Sequence, residues 1–249
     1  MSKIKQFEKE REDRIKRNSV DKKLKSSADQ WLHESMTKDY VYNFSWLGRP
    51  IIQSPQDIIA LQEIIWDVKP DMIIETGIAH GGSLIFSASM LTLLEKCGQI
   101  KNGKVLGIDI DIRKHNKKAI DAHPMSKKIT MFQGSSLDKK IIEKVYNYAK
   151  KGKKILVCLD SNHTHEHVLG ELKAYAPLVS VESYCVVYDT IVEDMPEGSF
   201  PDRPWDKGNN PKTALREYLK THPEFEIDNS IQNKLLITAA PDGFLKRIT

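Results

Sequence analysis

Residues 73–83 read IIETGIAHGGS: an apolar run closes on an acid, Glu75, and three glycines follow within six residues, Gly77, Gly81 and Gly82. A continuous apolar run that breaks into glycines and then into the helical stretch SLIFSASMLTLLEKC is the start of a βαβ unit, and it predicts an α/β sheet. The glycines allow a tight turn and a close backbone approach, and the amides at the start of the following helix face whatever lies there. The turn is not the nicotinamide fingerprint that it half resembles. That pattern needs glycine at 77, 79 and 82, and residue 79 is Ala79. Its ribose acid should follow about 20 residues on, whereas Asp109 stands 32 residues after Gly77. A strand-to-helix turn that binds nothing is the plain alternative.

On either side of this turn the same rhythm recurs. Upstream, SPQDIIALQEIIWDVKP offers Ser54 as a helix N-cap and Pro55 as the first helical residue, with Ile58, Leu61 and Ile65 along one face. Downstream, KVLGIDID, KITMFQG, KKILVCLD and YCVVYDT are apolar runs ending on an acid, a glycine or a polar residue. Pro211 opens a further helix, and FEIDNS with KLLITAAPDGFLKRI reads as a closing hairpin. Five strands alternating with helices and two closing strands predict a doubly wound, seven-stranded, mostly parallel sheet with one antiparallel member. Residues 1–39 precede it as a basic helical arm, so the expected division is 1–39 and 40–249.

Composition narrows the function classes. The net charge is +4 over 249 residues; residues 1–38 carry eleven Lys/Arg against seven Asp/Glu, and the remainder balances at 27 against 27. No concentrated basic stripe follows, so no nucleic-acid partner is expected. There is no apolar run of membrane-spanning length and no signal-peptide core at the N-terminus, which points to a cytoplasmic protein without a membrane span. Cys97, Cys158 and Cys185 have no metal-type spacing and read as thiols in a reducing compartment. The mixed charge of the arm suits a solvated helix or a subunit contact, so a homo-oligomer is expected.

In a sheet of this kind ligands bind at the carboxyl ends of the strands. Asp109 lies at the tip of the second strand, where a carboxylate can accept ribose hydroxyls, and Gly134, Ser135 and Ser136 end the third with small polar groups able to flank an adenine. This set suits S-adenosylmethionine, which has no pyrophosphate and does not demand the glycine missing at position 79.

The motifs WLGRPIIQSPQDIIALQEII, KPDMIIETGIAHGGS, LGIDIDIR, GSSLD, LDSNHTHEHVLGEL and SYCVVYDT, in this order over roughly residues 42–240, resemble the cephalosporin hydroxylase and rhamnosyl O-methyltransferase family. That family is a branch of the class I S-adenosylmethionine-dependent methyltransferases. The resemblance implies the Rossmann-like class I methyltransferase fold, S-adenosyl-L-methionine as methyl donor, and Mg2+ or Mn2+ beside the acceptor. It also implies acceptors that are small molecules or saccharides. By motif position, Glu75, Gly77, Gly81, Gly82 and Ser83 match the cofactor loop, with His80 inside it. Asp109 matches the ribose carboxylate, and Ser135 and Ser136 fall near the adenine.

The family's metal carboxylates match Asp160 and Asp189. Acids at the tips of neighbouring strands, about 4.8 Å apart, can converge on one hard cation. The sequence departs from the family at the residue before the second acid: Tyr188 stands where a glutamate is usual. Asn162, Glu193 and Asp194 are near enough in sequence to fill in. Helix capping and ordinary solvation are the bland reading of both acids. His163 is a candidate general base or outer-shell group and, with Asp160, a candidate catalytic residue. His163 and His167 lie four apart and with Asp160 could make a transition-metal site, although packing against the sheet suits His167 better. The long segment VEDMPEGSFPDRPWDKGNNP reads as a loop of lid length, with Arg203, Trp205 and Lys207 able to meet an acceptor. The reaction expected is direct methyl transfer to an oxygen held in line with the methyl–sulfur bond. The rivals are a non-catalytic cofactor-binding or assembly protein and, against Ala79, a nicotinamide-dependent oxidoreductase.

Overall fold

The computed structural model describes residues 2–249. The arm is two helices, α1 (Lys3–Val20) and α2 (Lys22–Met36), broken at Asp21, whose carboxylate caps α2 by accepting from Leu24 N at 3.0 Å. A two-stranded hairpin follows, β1 (Phe44–Trp46) and β2 (Arg49–Ile51), then α3 (Pro55–Val68), β3 (Met72–Thr76), α4 (Gly82–Lys96) and β4 (Lys104–Asp109). Next come α5 (Lys114–Asp121), β5 (Ile129–Gln133), α6 (Lys139–Ala149), β6 (Ile155–Leu159), α7 (His165–Tyr175) and β7 (Tyr184–Val187). The chain closes with α8 (Pro211–Tyr218), β8 (Phe225–Ile227), α9 (Asn229–Leu235) and β9 (Phe244–Arg247).

The main sheet has seven strands in the order β5-β4-β3-β6-β7-β9-β8, and β9 alone runs against its neighbours β7 and β8. This is the doubly wound sheet expected, with its one antiparallel member. All five residues of β3 are buried. Successive side chains of a strand face opposite sides, so Ile73 joins Leu61, Phe86 and Ile120 on the face covered by α3, α4 and α5. Ile74 joins Val145, Leu172 and Leu215 on the face covered by α6, α7 and α8. The chain runs outward from β3 through β4 to β5 and then crosses back to β6 on the other side of β3, so the order reverses beside β3. The tip of β3 therefore opens a crevice, the usual place for a ligand in such sheets.

Two expectations change. FEIDNS and the C-terminal stretch do pair as β8 and β9, but not as a simple hairpin: α9 intervenes, started by Asp228, whose carboxylate accepts from Ser230 N at 3.0 Å. The arm is solvated only in part. α1 buries no residue, while α2 buries Ala28 and Leu32. Leu32 packs with Ile191, Met195 and Ala239, and Met36 and Phe200 lie against the same cluster. Ser54 caps α3 as read from the sequence, accepting from Asp57 N at 3.3 Å. Among the described residues no helix is long and apolar enough to cross a membrane.

Candidate active site

The glycine turn is held open by unusual backbone geometry and a set of clamps. Gly77 and Gly81 take φ of 88° and 82°, and Ala79 takes 44°, a region that side chains with a Cβ seldom occupy. A Cβ on Gly77 would sit 1.9 Å from the Asp160 carbonyl oxygen, and one on Gly82 would sit 2.2 Å from the Pro50 carbonyl oxygen. Gly82 thus makes room for the chain's own β1–β2 hairpin rather than for a ligand. That hairpin turns through Leu47 and Gly48, both at positive φ, and docks on α4 through Trp46, which lies edge-on to Phe86 and donates to Ser89 Oγ at 3.0 Å. Arg49 then reaches the loop: its Nε and Nη2 donate to the His80 carbonyl at 3.0 and 2.6 Å, and Nη2 also donates to Asn116 Oδ1 at 3.0 Å. Asn116 Nδ2 donates in turn to the Ala79 carbonyl at 2.9 Å.

Asp109 stands at the tip of β4, but its carboxylate is already engaged. Oδ2 accepts from Ile78 N at 2.8 Å and Ala79 N at 3.3 Å, and Oδ1 accepts from Asp111 N at 2.9 Å. An ionised carboxylate has about four acceptor sites, so a ribose hydroxyl would share a group that also holds the loop. α4 begins after Gly81 with no side-chain cap, which leaves its first amides to a ligand. Glu75, buried beneath, accepts from Ser83 Oγ, and burial pushes its carboxyl up to about 7 despite that bond. Ser135 and Ser136 follow β5 and stand outside the lining of the main cavity: Ser135 Oγ accepts from Leu137 N, and Ser136 Oγ bonds His167 Nε2 at 3.1 Å.

The acids of β6 and β7 do converge. Backbone bonds from Asp160 N to Thr76 O and from Tyr188 N to Leu159 O, both 3.0 Å, align the three strand tips. Asp160, His163 and Asp189 each present one ligand atom, all within 4.8 Å of one another, and His163 Nε2 lies 3.0 Å from Asp189 Oδ2. Burial and then the carboxylates of Asp189, Glu75, Glu171 and Asp57 push Asp160 far above the usual carboxylate range, with no hydrogen bond or cation offsetting them. A site of this kind fits a divalent ion. Tyr188 is buried, its phenol pushed up by burial, and its hydroxyl has no partner. His167 turns away into a polar cluster with Ser136, Ser161 and the buried Glu171, so it does not complete a metal site with Asp160. Asn162 caps the next turn through Thr164, Glu193 accepts from Asn210 and Gly208, and Asp194 pairs with Lys212 at 2.6 Å, so all three are occupied elsewhere.

The glycine loop and the acid pair open into one cavity of about 880 Å³, whereas Asp109 lines a smaller pocket of about 240 Å³ that shares Ala79 and His80 with it. Gly77, His80 and Ser83 line one end, and Asp160, His163, Tyr188 and Asp189 line its floor. Its far wall comes from Met36, Thr37 and Tyr42 together with Phe200, Arg203 and Trp205; Lys207 does not line it. Trp205 lies edge-on to His163 at 4.7 Å, with the Arg203 guanidinium 5.3 Å over its ring. The sequence reading missed Arg49, Asn116 and the residues at the end of the arm. Gly48 between two short apolar stretches was the available signal for the hairpin that carries Arg49.

The profile of the family described as Rhamnosyl O-methyltransferase/CmcI matches residues 38–248. A rhamnosyl O-methyltransferase of Mycobacterium tuberculosis is 31% identical over 222 residues, covering 86% of this chain and 84% of that one. Its counterpart in Mycobacterium leprae is 30% identical over 218 residues, covering 86% and 88%. In fold the chain is similar to an apo-structure of CmcI, with a TM-score of 0.58 at 18% identity over 84% of this chain and 77% of that one. A Mg–SAM structure of CmcI gives a TM-score of 0.56 at 19% identity, over 84% and 78%.

Proposed function

The chain belongs to the rhamnosyl O-methyltransferase/CmcI family, and we propose that it is an S-adenosylmethionine-dependent, divalent-metal-assisted O-methyltransferase. Its acceptor is a hydroxyl of a sugar, a glycan precursor or a secondary metabolite. The observation that carries this reading is the cavity, which joins the glycine loop of a methyl donor to two converging carboxylates, of which Asp160 has no hydrogen bond or cation offsetting its burial. The matching relatives are rhamnosyl O-methyltransferases, and CmcI has been solved with Mg and SAM.

In this reading Glu75, the loop from Gly77 to Ser83 and Asp109 hold S-adenosylmethionine, with Ser135 and Ser136 behind the adenine side. Asp160 and Asp189 hold the ion, which supplies Lewis acidity to an acceptor hydroxyl. The remaining work is positioning: the acceptor oxygen must stand in line with the methyl–sulfur bond, and Trp205, Arg203 and Tyr42 are placed to orient the rest of the acceptor. His163 stands where it can take either a proton or the ion. The apolar residues Ile4, Phe7 and Val20, exposed on the arm, favour a homo-oligomer. The free thiols of Cys97, Cys158 and Cys185 favour a cytoplasmic setting.

The test is transfer of a labelled methyl group from S-adenosylmethionine to a panel of sugars, nucleotide sugars and small polyols, with and without chelator. Methylation that chelation abolishes is expected. Tight NAD binding with no affinity for S-adenosylmethionine would reject the reading.

A further inference from the structure

The floor of the cavity holds three metal-competent side chains. Asp160 and Asp189 come from neighbouring strand ends, and His163 lies one turn past β6. Two donors bound about 2.1 Å from one octahedral ion at right angles stand about 3.0 Å apart. His163 Nε2 and Asp189 Oδ2 are 3.0 Å apart, and an Asp160 oxygen completes a triangle with no side above 4.8 Å. The imidazole is held in place: its side chain is 15% exposed and its ring meets Trp205 edge-on. A second, independent feature lies in the same cavity. Tyr188 is 3% exposed and lines this cavity, yet its hydroxyl has no partner. A buried unpaired hydroxyl is costly and calls for a partner from outside the chain. A neutral phenol is a hydrogen-bond donor and a poor ligand for a hard cation, so any third protein ligand comes from another residue.

We infer that His163, through Nε2, is that third ligand beside Asp160 and Asp189, and that this set selects manganese or another first-row transition ion over magnesium. The inference rests on the metal-assisted reading above and deepens it. Imidazole is a borderline-soft donor that suits transition ions, whereas magnesium favours oxygen ligands and keeps its waters. Exchanging one carboxylate for an imidazole therefore lowers affinity for magnesium more than for manganese.

The 249-residue protein, stripped of ions and supplied with excess S-adenosylhomocysteine, is titrated with MnCl2 and with MgCl2 by calorimetry. The manganese complex is then examined by pulsed electron paramagnetic resonance for coupling to an imidazole 14N. The expected result is a dissociation constant for manganese about tenfold or more below that for magnesium, together with 14N coupling. His163→Ala should lose the coupling and weaken manganese by about tenfold or more while still binding S-adenosylhomocysteine. Tyr188→Phe should keep the coupling. Manganese bound without 14N coupling in the unaltered protein overturns the inference and leaves metal-assisted transfer standing, and that measurement needs no variant to fold. Failure of both ions to bind, with S-adenosylhomocysteine bound, overturns the inference together with the metal half of the function. Manganese bound with 14N coupling but no affinity for S-adenosylhomocysteine supports the inference and removes the methyltransferase reading.

Discussion

Glu75 is the acid on which the first strand closes, and its surroundings set its chemistry. The side chain is buried against the sheet with Ser83 as its hydrogen-bond partner, and burial raises its carboxyl from about 4.5 to about 7. Between those values the folded chain holds a proton that the unfolded chain has released, so stability falls as pH rises across the window. At about 1.4 kcal/mol per unit, the whole shift corresponds to roughly 3 kcal/mol. Glu75→Gln removes this term. Its melting temperature relative to the unaltered protein should therefore climb from pH 5 to pH 7 and level off above. A difference that stays flat over that range would show that Glu75 is not desolvated. The acids of the floor make a different prediction: Asp160→Asn and Asp189→Asn should each lower kcat by roughly 10²-fold or more, the scale of losing one group that stabilises developing charge. Calorimetry should find S-adenosylhomocysteine binding preserved in both, and its loss would place these carboxylates in the donor site instead. The identity of these three acids was legible because each closes an apolar run. The orphan hydroxyl of Tyr188 and the engagement of Asp109 by loop amides were not legible, since both depend on which backbone atoms lie opposite.

At the scale of elements, the hairpin and the arm decide how well the site is built. β3, β4, β6 and β7 could be read directly, because a strand buried on both faces is a continuous apolar run, while β5, half-buried at the sheet edge, showed as a shorter run closing on a glycine. The three-residue strands β1 and β2 and the seven-residue α9 are too short to show a period, and Arg49 contacts His80 from 31 positions away in the chain. Arg49→Ala removes every bond from the hairpin guanidinium to the loop and to Asn116. Hydrogen bonds to a charged group contribute about 1.5–3 kcal/mol, so S-adenosylhomocysteine should bind between about tenfold and a hundredfold more weakly. Arg49→Lys should recover only part of this, since a single ammonium cannot span both acceptors. Unchanged affinity in the alanine variant would mean that Asp109 and Asn116 alone hold the turn. The arm divides at Asp21. Removing residues 1–20 takes away no buried side chain and should leave the melting temperature nearly unchanged. Removing residues 1–38 uncovers the Leu32 cluster at a cost of about 2 kcal/mol, or roughly 4–8 °C, and opens the far wall of the cavity. Equal melting temperatures for the two truncations would show that α2 does not dock.

Over the whole molecule, charge is distributed in a way that neither composition nor any single element reveals. The domain balances its acids and bases, yet Asp57, Glu75, Asp160 and Asp189 gather around the switch point of the sheet. Asp57 is satisfied by Ser54, Thr238 and the Ala239 amide, which tie α3 to the C-terminal segment, and Glu75 has Ser83. Asp160 alone has only like charges and burial acting on it. Ionising Asp160 would therefore add a charge among like charges at the floor of the cavity, and in the proposed function a divalent ion offsets it. This coupling should show in the melting temperature without any methyl donor: manganese at 100 times its dissociation constant should stabilise the protein by about 2.7 kcal/mol. Because the folded-state carboxyl of Asp160 lies above its ordinary value, protons compete with the ion as pH falls. At a fixed ion concentration the thermal shift should accordingly be larger at pH 8 than at pH 6. Asp160→Asn should abolish the shift at both, while Glu8→Gln on the solvated arm should leave it intact. A manganese-induced shift of equal size at both pH values, or one that survives Asp160→Asn, would mean that the ion binds elsewhere and that the repulsion at the switch point is relieved by protonation alone.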